Sequence, residues 1–387
     1  MSKRTYWIQR IEDALQKKSL VWLSGVRRAG KTTLAKSLQN VDYFDCELPR
    51  VRELLSDPEG FWRSQSGLKT IVLDEIQRLS DPAEILKIGT DHFPSLKIVA
   101  TGSSTLSAKR KFRDTLTGRK VEIWLTPILV SELNEFAETN DLLNLQKRAL
   151  HGGLPPMFLA HKLSDYDYLE WMDSYWAKDI QELFVVDKKT AFTTFVQLIL
   201  RQSGELFQAT SFAGPCEVSR QTILNYLEIL ETTLIAHAVR PYTSGTAAEL
   251  KSQPKVYAFD SGFVGWARGW DSINSENKGP LLEHLVLCEL EAHFSRNSIF
   301  YWRNKAKNEV DFIIKPGRGP VVHAIECKSQ ASKFESNGVK AFRKLFCEGK
   351  NILVTFDATQ REERYIDAVS VIVLPIHLLA IELGGKF

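Results

Sequence analysis

No apolar run in this chain is long enough to cross a bilayer. The longest, "VIVLPIHLLAIEL", is interrupted by Pro375, His377 and Glu382 and falls short of the roughly 20 residues that a spanning helix requires. Cysteine is scarce and scattered. Cys46, Cys216, Cys288, Cys327 and Cys347 form no C-x-x-C pair, which argues against a zinc ribbon and a disulfide framework and fits a reducing compartment. The N-terminal "MSKRTYWIQRIED" has no apolar leader core, so a cytoplasmic location without a membrane partner is expected. A strong charge imbalance is missing too: the net charge is +3, too little to argue for or against a polyanionic partner. There is no low-complexity tract and no repeat at solenoid periods. What remains is 387 residues of ordinary globular composition, 44% hydrophobic and 25% charged, enough for two or three domains of roughly 100–200 residues.

Texture divides the chain further. Residues 1–136 alternate helical patterns with the apolar runs "LVWLSG", "VDYFD", "TIVLDE", "KIVATGSS" and "KVEIWL". That alternation predicts an α/β core with a parallel sheet covered on both faces. Residues 137–185 read as a helical lid interrupted by "HGGLPP". Across 186–250, helical runs lead into "EVSRQTILNYLEILET" and then "LIAHAVR"; "KVYAF" follows just beyond. Helices followed by a two-stranded flap predict a winged helix-turn-helix. Residues 251–387 set the helical "GPLLEHLVLCELEAHF" before strands "IFYWRN", "EVDFII", "VVHAIEC" and "NILVTF", with a final strand-helix unit. This predicts a smaller α/β domain.

"GVRRAGKTT" follows the strand "LVWLS" and opens the helix "TTLAKSLQ". The pattern G-x-x-x-x-G-K-[ST] in that setting is a phosphate-binding loop. Its glycines let backbone N–H groups surround a phosphate, helped by the helix N-terminus. Lys31 is placed to bridge the β- and γ-phosphates of ATP, and Thr32 to ligate Mg²⁺. Gly25, Arg28, Gly30 and Thr33 complete the expected nucleotide contacts. "TIVLDEIQ" delivers Asp74 to the same sheet edge as a Mg²⁺ partner and Glu75 as the residue that polarises water. Ser103, in "IVATGSS", is a candidate γ-phosphate sensor or a strand-end turn residue.

These stretches, with "LTGRKVEIWLTPILVSEL" and "GGLPP", resemble the AAA+ superfamily. Within it they are similar to bacterial and archaeal ATPases that pair the core with a conserved C-terminal region. The resemblance spans nearly the whole chain. It implies a ring or partial ring, with a hexamer as one form, and ATP between subunits. It also implies an arginine that reaches the neighbour's γ-phosphate: Arg119, with Arg113 as its rival. Either can instead be a solvated surface arginine. No residue is assigned as the lid's second sensor arginine.

Along "SRQTILNYLEIL", Ile223, Leu224, Leu227 and Leu230 share one helical face, and Ser219 is placed to cap the helix. Arg220, Gln221, Thr222 and Asn225 lie off that face, where Arg and Gln or Asn can read guanine and adenine edges. Protein contact or plain packing is the competing reading. The order of core, lid and winged helix resembles motors that migrate Holliday junctions. The basic run "KRKFRDTLTGRK", with six Lys/Arg and one acid, suits a solvated face, a subunit interface or a DNA path.

In "AIECKS", Glu326 and Lys328 share one strand face. Asp311 in "NEVDFII" lies one hairpin upstream, so an antiparallel pair sets it beside Glu326. Glu283 is a carboxylate on the otherwise apolar "GPLLEHLVL", costly unless it meets a cation. The four resemble the PD-(D/E)xK nuclease signature, although Val310 stands where proline is usual. The resemblance implies a restriction-endonuclease-like domain in which Asp311 and Glu326 bind Mg²⁺ or Mn²⁺, Lys328 orients water and Glu283 completes the shell. A buried ion-pair network is the alternative. Together the blocks predict an oligomeric ATPase that binds and remodels duplex or branched DNA. The alternative is an ATP-gated switch with a nuclease-like effector or partner-binding domain, catalytically live or dead.

Overall fold

The computed structural model describes residues 3–65, 69–102, 106, 110–137, 142–181, 184, 186, 188–243 and 253–385. The chain forms two compact units. The first comprises Met1–Thr126, Met172–Phe184 and Thr232–Leu234, and the second Pro127–Trp171, Val185–Glu231 and Ile235–Phe387. The helical block 137–185 is thereby shared between them. Among the described residues no helix is long and apolar enough to cross a membrane.

The five apolar runs of the first block are its five strands. They are β1 (Leu20–Ser24), β2 (Val41–Asp45), β3 (Thr70–Asp74), β4 (Lys97–Thr101) and β5 (Lys120–Trp124). The sheet order is β2-β3-β4-β1-β5, and every pairing is parallel. β1 is buried along its whole length, as a strand covered on both faces must be. Helix Thr5–Lys17 buries Trp7, Ile11, Ala14 and Leu15 along one stripe. Helix Pro82–His92 starts at Asp81, whose carboxylate accepts from the Glu84 N–H at 3.1 Å. Trp62 is fully buried and donates its indole N–H to the Ile85 carbonyl at 2.8 Å. The order leaves β1 between β4 and β5, so the ends of β1, β3 and β4 open onto one crevice, the usual ligand edge of such sheets.

The second unit is built on a nine-stranded sheet of order β13-β14-β12-β11-β10-β9-β7-β8-β6. Its strands are β6 (Glu205–Leu206), β7 (Ala236–Pro241), β8 (Lys255–Ala258), β9 (Ile299–Arg303), β10 (Glu309–Ile314), β11 (His323–Lys328), β12 (Asn351–Thr355), β13 (Glu362–Ile366) and β14 (Val369–Leu374). Helix Lys278–His293 is buried on nearly every face, which explains its apolar stretch without amphipathic period. Ahead of it run helices Lys189–Arg201, Ala209–Ala213 and Arg220–Thr232. Ser219 caps the last by accepting from the Thr222 N–H at 3.1 Å. β7 and β8 pair antiparallel, and β7 also pairs parallel with β9. The two-stranded flap read from the sequence is thus continuous with the sheet of the C-terminal block.

The chain end differs from the expected strand-helix unit. β13 and β14 form an antiparallel hairpin before the short helices Ile376–Leu378 and Leu379–Glu382. Its two-residue turn is Asp367–Ala368, with φ of 49° and 65°. A turn of this hand normally announces itself as Asn-Gly or Asp-Gly; alanine at the second position concealed it.

The glycine pair in "HGGLPP" has a packing reason. A Cβ on Gly152 would lie 2.0 Å from Asp260 Oδ1, and one on Gly153 would lie 2.5 Å from the Arg148 guanidinium. Arg148, 1% exposed, donates to the Ile128 carbonyl and to Ser261 Oγ, the latter at 3.1 Å. It lies 3.8 Å from Asp260 Oδ2. Asp260 also accepts from the Gly153 and Gly262 N–H groups at 2.7 and 2.9 Å. Burial pushes its carboxyl above the ordinary range, against the pull of Arg148. Arg148 is therefore an internal brace of the second unit. Arg148→Met leaves a buried carboxylate without its cation, and we expect a loss of about 3–5 kcal/mol in urea denaturation, the cost typical of halving a buried pair.

Candidate functional site

At the end of β1 the chain turns through Gly25–Gly30 into helix Lys31–Ser37, with Gly30 as N-cap at φ 96°. Gly25 runs so close to β5 that an added Cβ would lie 2.7 Å from the Leu125 carbonyl oxygen. Arg28 takes the left-handed conformation, φ 64°. Arg4 braces the loop, donating to the Ala29 and Thr126 carbonyls at 3.2 and 3.1 Å. Lys31 is buried and curls back over the loop, its ammonium 2.9 and 3.1 Å from the Gly25 and Val26 carbonyls. Burial pushes its pKa below the ordinary lysine value, against the pull of Glu75, Asp179 and Asp74. A positively lined loop with a buried ammonium at its centre is a fitting cradle for phosphate.

Asp74, at the end of β3, is clamped by three hydroxyls. Thr32 and Tyr43 donate to Oδ2 at 2.8 and 2.6 Å, and Thr101 donates to Oδ1. Burial, and then the bond to Asp74, push the Tyr43 phenol far above its ordinary pKa, so it remains a neutral donor. The adjacent Thr32 hydroxyl and Asp74 carboxylate are hard oxygen donors of the kind Mg²⁺ takes. Glu75 follows in the left-handed region, φ 55°. Its N–H donates to Thr101 Oγ1 at 3.1 Å, and its carboxylate accepts from the Gln77 amide. Thr33 is exposed. Ser103 lies outside the described residues, and the polar strand end that contacts Asp74 and Glu75 is Thr101. Tyr43 and Thr101 were hidden in the sequence because each occupies a strand position indistinguishable from packing.

Arg27 and Arg119 of this unit are each held by an acid. Arg27 Nε donates to Asp179 Oδ2 at 3.1 Å. Arg119 grips Asp91 with two parallel bonds of 2.7 and 3.0 Å and donates to the Thr115 carbonyl. The side chain of Arg113 lies outside what is described.

The second unit gathers the C-terminal charged residues. Phe312 stands opposite Ile325 in the β10–β11 hairpin, which sets Asp311 beside Glu326, as the spacing predicted. Lys328 Nζ lies 2.7 Å from Glu326 Oε2 and 3.3 Å from Asp311 Oδ2. Asp311 Oδ2 also accepts from the Cys327 N–H at 2.8 Å. Glu283 accepts from the Tyr257 hydroxyl at 2.8 Å. Burial, then the Asp311 charge, push Glu283 up to about 7 and Glu326 up to about 8. Burial acts upward on Asp311 as well, but Lys328 and Lys255 hold it below the usual carboxylate range. Lys255 was not foreseen. It is buried on β8, paired with Glu309, and its charge faces Glu283 and Asp311. With Glu283, Arg268 and Arg303 it lines a cleft of about 290 Å³. Among the described residues no group of three or more His, Cys, Asp or Glu is placed to hold a metal ion; Lys328 lies against both Asp311 and Glu326. Arg220, Gln221 and Asn225 are exposed at the start of helix Arg220–Thr232, with the Gln221 amide donating to Asn225 at 3.1 Å. Arg220 borders a groove of about 420 Å³ with Arg240, Gln208 and Glu231.

Residues 17–134 match the family model of an AAA domain. The match covers all five strands of the first unit and the phosphate loop. Residues 142–274 and 278–379 match two domains of unknown function, DUF8612 and DUF4143. The chain is similar to an uncharacterized protein of Mycobacterium tuberculosis, 27% identical over 336 residues, covering 84% of this chain and 74% of that one. It is also similar to one of Methanocaldococcus jannaschii, 24% identical over 366 residues, covering 82% and 77%. Among solved structures, the Walker-type ATPase of Pyrococcus abyssi is 15% identical, with TM-score 0.45 over 69% of this chain and 96% of that one. RuvB of Thermotoga maritima is 17% identical, with TM-score 0.30 over 64% and 95%.

Proposed function

We propose that this protein is an ATP-hydrolysing AAA+ protein that binds and remodels DNA as an oligomer. The observation that carries the reading is the bond between Thr32 and Asp74 beside the buried Lys31, at the switch point of a parallel sheet. In this reading Lys31 bridges the β- and γ-phosphates and neutralises charge that develops between them. Thr32 and Asp74 would hold Mg²⁺, which would supply electrostatic stabilisation of the transferred group. Glu75 accepts a proton from the attacking water, kept in place by its bonds to Thr101 and Gln77. Arg119 serves a neighbouring subunit, exchanging Asp91 for the neighbour's phosphate. Glu75→Gln is expected to retain ATP binding and lose turnover; hydrolysis at the wild-type rate refutes the assignment.

DNA engagement draws support from the exposed polar start of helix Arg220–Thr232, in a winged-helix order of helices and flap strands. Arg220, Gln221 and Asn225 offer the donors and acceptors that base edges and phosphates take. Duplex or four-way-junction DNA should stimulate ATP turnover, and its affinity should fall steeply with salt. Arg220→Ala is expected to weaken binding and to flatten the log–log salt slope by about one. Salt-insensitive binding, unchanged in the variant, removes phosphate contacts from the reading.

Glu283, Asp311, Glu326 and Lys328 support a reading of the C-terminal block as a PD-(D/E)xK nuclease-like fold. The donor arrangement does not by itself furnish a metal shell, and no cleavage step is derived from it. The contacts of Lys328 with both carboxylates favour a second reading, an ATP-gated switch whose nuclease-like domain grips DNA or a partner without cutting. Slow turnover indifferent to DNA is the signature of that switch. Supercoiled DNA incubated with Mg²⁺ or Mn²⁺ separates the outcomes for the C-terminal site. Nicking abolished by Asp311→Ala makes it a working nuclease. Wild-type protein that retains DNA without nicking makes it a binding fold, the outcome expected from the Lys328 contacts.

A further inference from the structure

Arg27 lies inside the phosphate loop, four residues before Lys31, yet its guanidinium is directed to an acid far along the chain. Arg27 Nε donates to Asp179 Oδ2 at 3.1 Å, with the two side chains 26% and 9% exposed. Asp179 lies beyond the AAA match, in the five-residue wide turn Trp176–Ile180, where the Gln181 N–H reaches back to the Trp176 carbonyl at 2.9 Å. Turns of this wide kind inside helices are rare and concentrate at functional positions. The Asp179 charge is also among those felt by Lys31. At the start of the same segment the Tyr175 hydroxyl bonds Thr233 Oγ1 at 2.7 Å, both residues being buried.

The location of these contacts in the chain gives them meaning. Met172–Phe184 and Thr232–Leu234 are the two short returns of the polypeptide to the first unit. Thr233 directly follows helix Arg220–Thr232, whose exposed start carries the proposed DNA contacts. Beyond the passage at residues 126–127, every covalent passage from one unit to the other therefore enters or leaves one of these two returns. Arg27–Asp179 ties the first return to the phosphate loop, and Tyr175–Thr233 ties the returns to each other.

We propose that Asp179 is a positioning residue of the nucleotide site: it holds Arg27 when no terminal phosphate competes, and yields Arg27 to the γ-phosphate of ATP, releasing segment 172–180 from the loop. This rests on the ATP reading above. A guanidinium is suited to such an exchange, because carboxylate and phosphate oxygens accept its donors with the same geometry. The triphosphate of ATP carries a γ-phosphate that ADP lacks, so an exchange onto that group distinguishes ATP from ADP. Linkage makes it reciprocal: if ATP loosens the segment, loosening the segment tightens ATP.

The test uses the full-length chain, a non-hydrolysable ATP analogue, ADP, and Asp179→Asn, which removes the charge at nearly constant shape. We expect the ATP analogue to bind about three- to tenfold more tightly in Asp179→Asn, the range of one charge-assisted bond, with ADP affinity unchanged. Arg27→Ala should weaken the ATP analogue and make a further Asp179→Asn silent, a non-additive cycle. Asp179→Glu should restore wild-type discrimination. Hydrogen exchange across 172–181 should rise on adding the ATP analogue to wild type and already be high in Asp179→Asn. Equal loss of ATP and ADP affinity, or additive effects of the two substitutions, overturns the proposal and leaves Asp179 a packing residue. A wild-type chain that binds neither nucleotide, like Lys31→Ala, sinks the ATP reading itself. A chain that binds ATP but is indifferent to Asp179→Asn sinks only this inference.

Discussion

Asp74 is the point on which the first unit turns. A carboxylate with 2% exposure cannot stand without donors, and it finds three from three different elements. Thr32 comes from the helix after the phosphate loop, Tyr43 from β2 and Thr101 from β4. Satisfying one buried charge thereby fixes the relative positions of the loop, β2, β3 and β4 around the same crevice. Thr101 extends the arrangement by receiving the Glu75 N–H, so the conformation of Glu75 is set by the same hydroxyl that serves its neighbour. The site is assembled by the demand for hydrogen bonds rather than by apolar packing.

The second unit solves the same problem with full charges. Arg148 and Asp260 balance one another beneath a pair of glycines, and three carboxylates share two lysines around the β10–β11 hairpin. Pairs of this kind contribute less to stability than they cost to disrupt. Their value is geometric: each member fixes the side chain opposite it. Asp311 is fixed by a backbone N–H and an ammonium both directed at one oxygen.

Much of this was legible in the residues. Each apolar run of the first block became a strand, because a doubly covered parallel sheet writes itself as unbroken apolar segments. The hairpin that brings Asp311 to Glu326 followed from strand spacing, and the Ser219 cap from residue type. What escaped reading was long-range or chemically ordinary. Asp179 is a single acid in a helical stretch, and nothing local signals that Arg27 receives it. Lys255 resembles any lysine at the start of a strand until the fold places it before Glu283. The Asp367–Ala368 turn lacked the glycine that usually betrays its hand. Nor does anything local to Arg148 signal the buried Asp260 it lies against.

The parallel pairing of β7 with β9 has a consequence for how the molecule can be taken apart. A cut in the stretch between β7 and β8, where composition suggests a seam, would strip β7 of β8 and of β9 at once and expose unsatisfied backbone on both its edges. Such a fragment would be prone to self-association through the bared strand, and its failure to behave as an autonomous module would say nothing about the flap in the intact polypeptide. The flap and the C-terminal sheet are inherited together, and any recombination that exchanges one of them for a foreign counterpart must carry the other along.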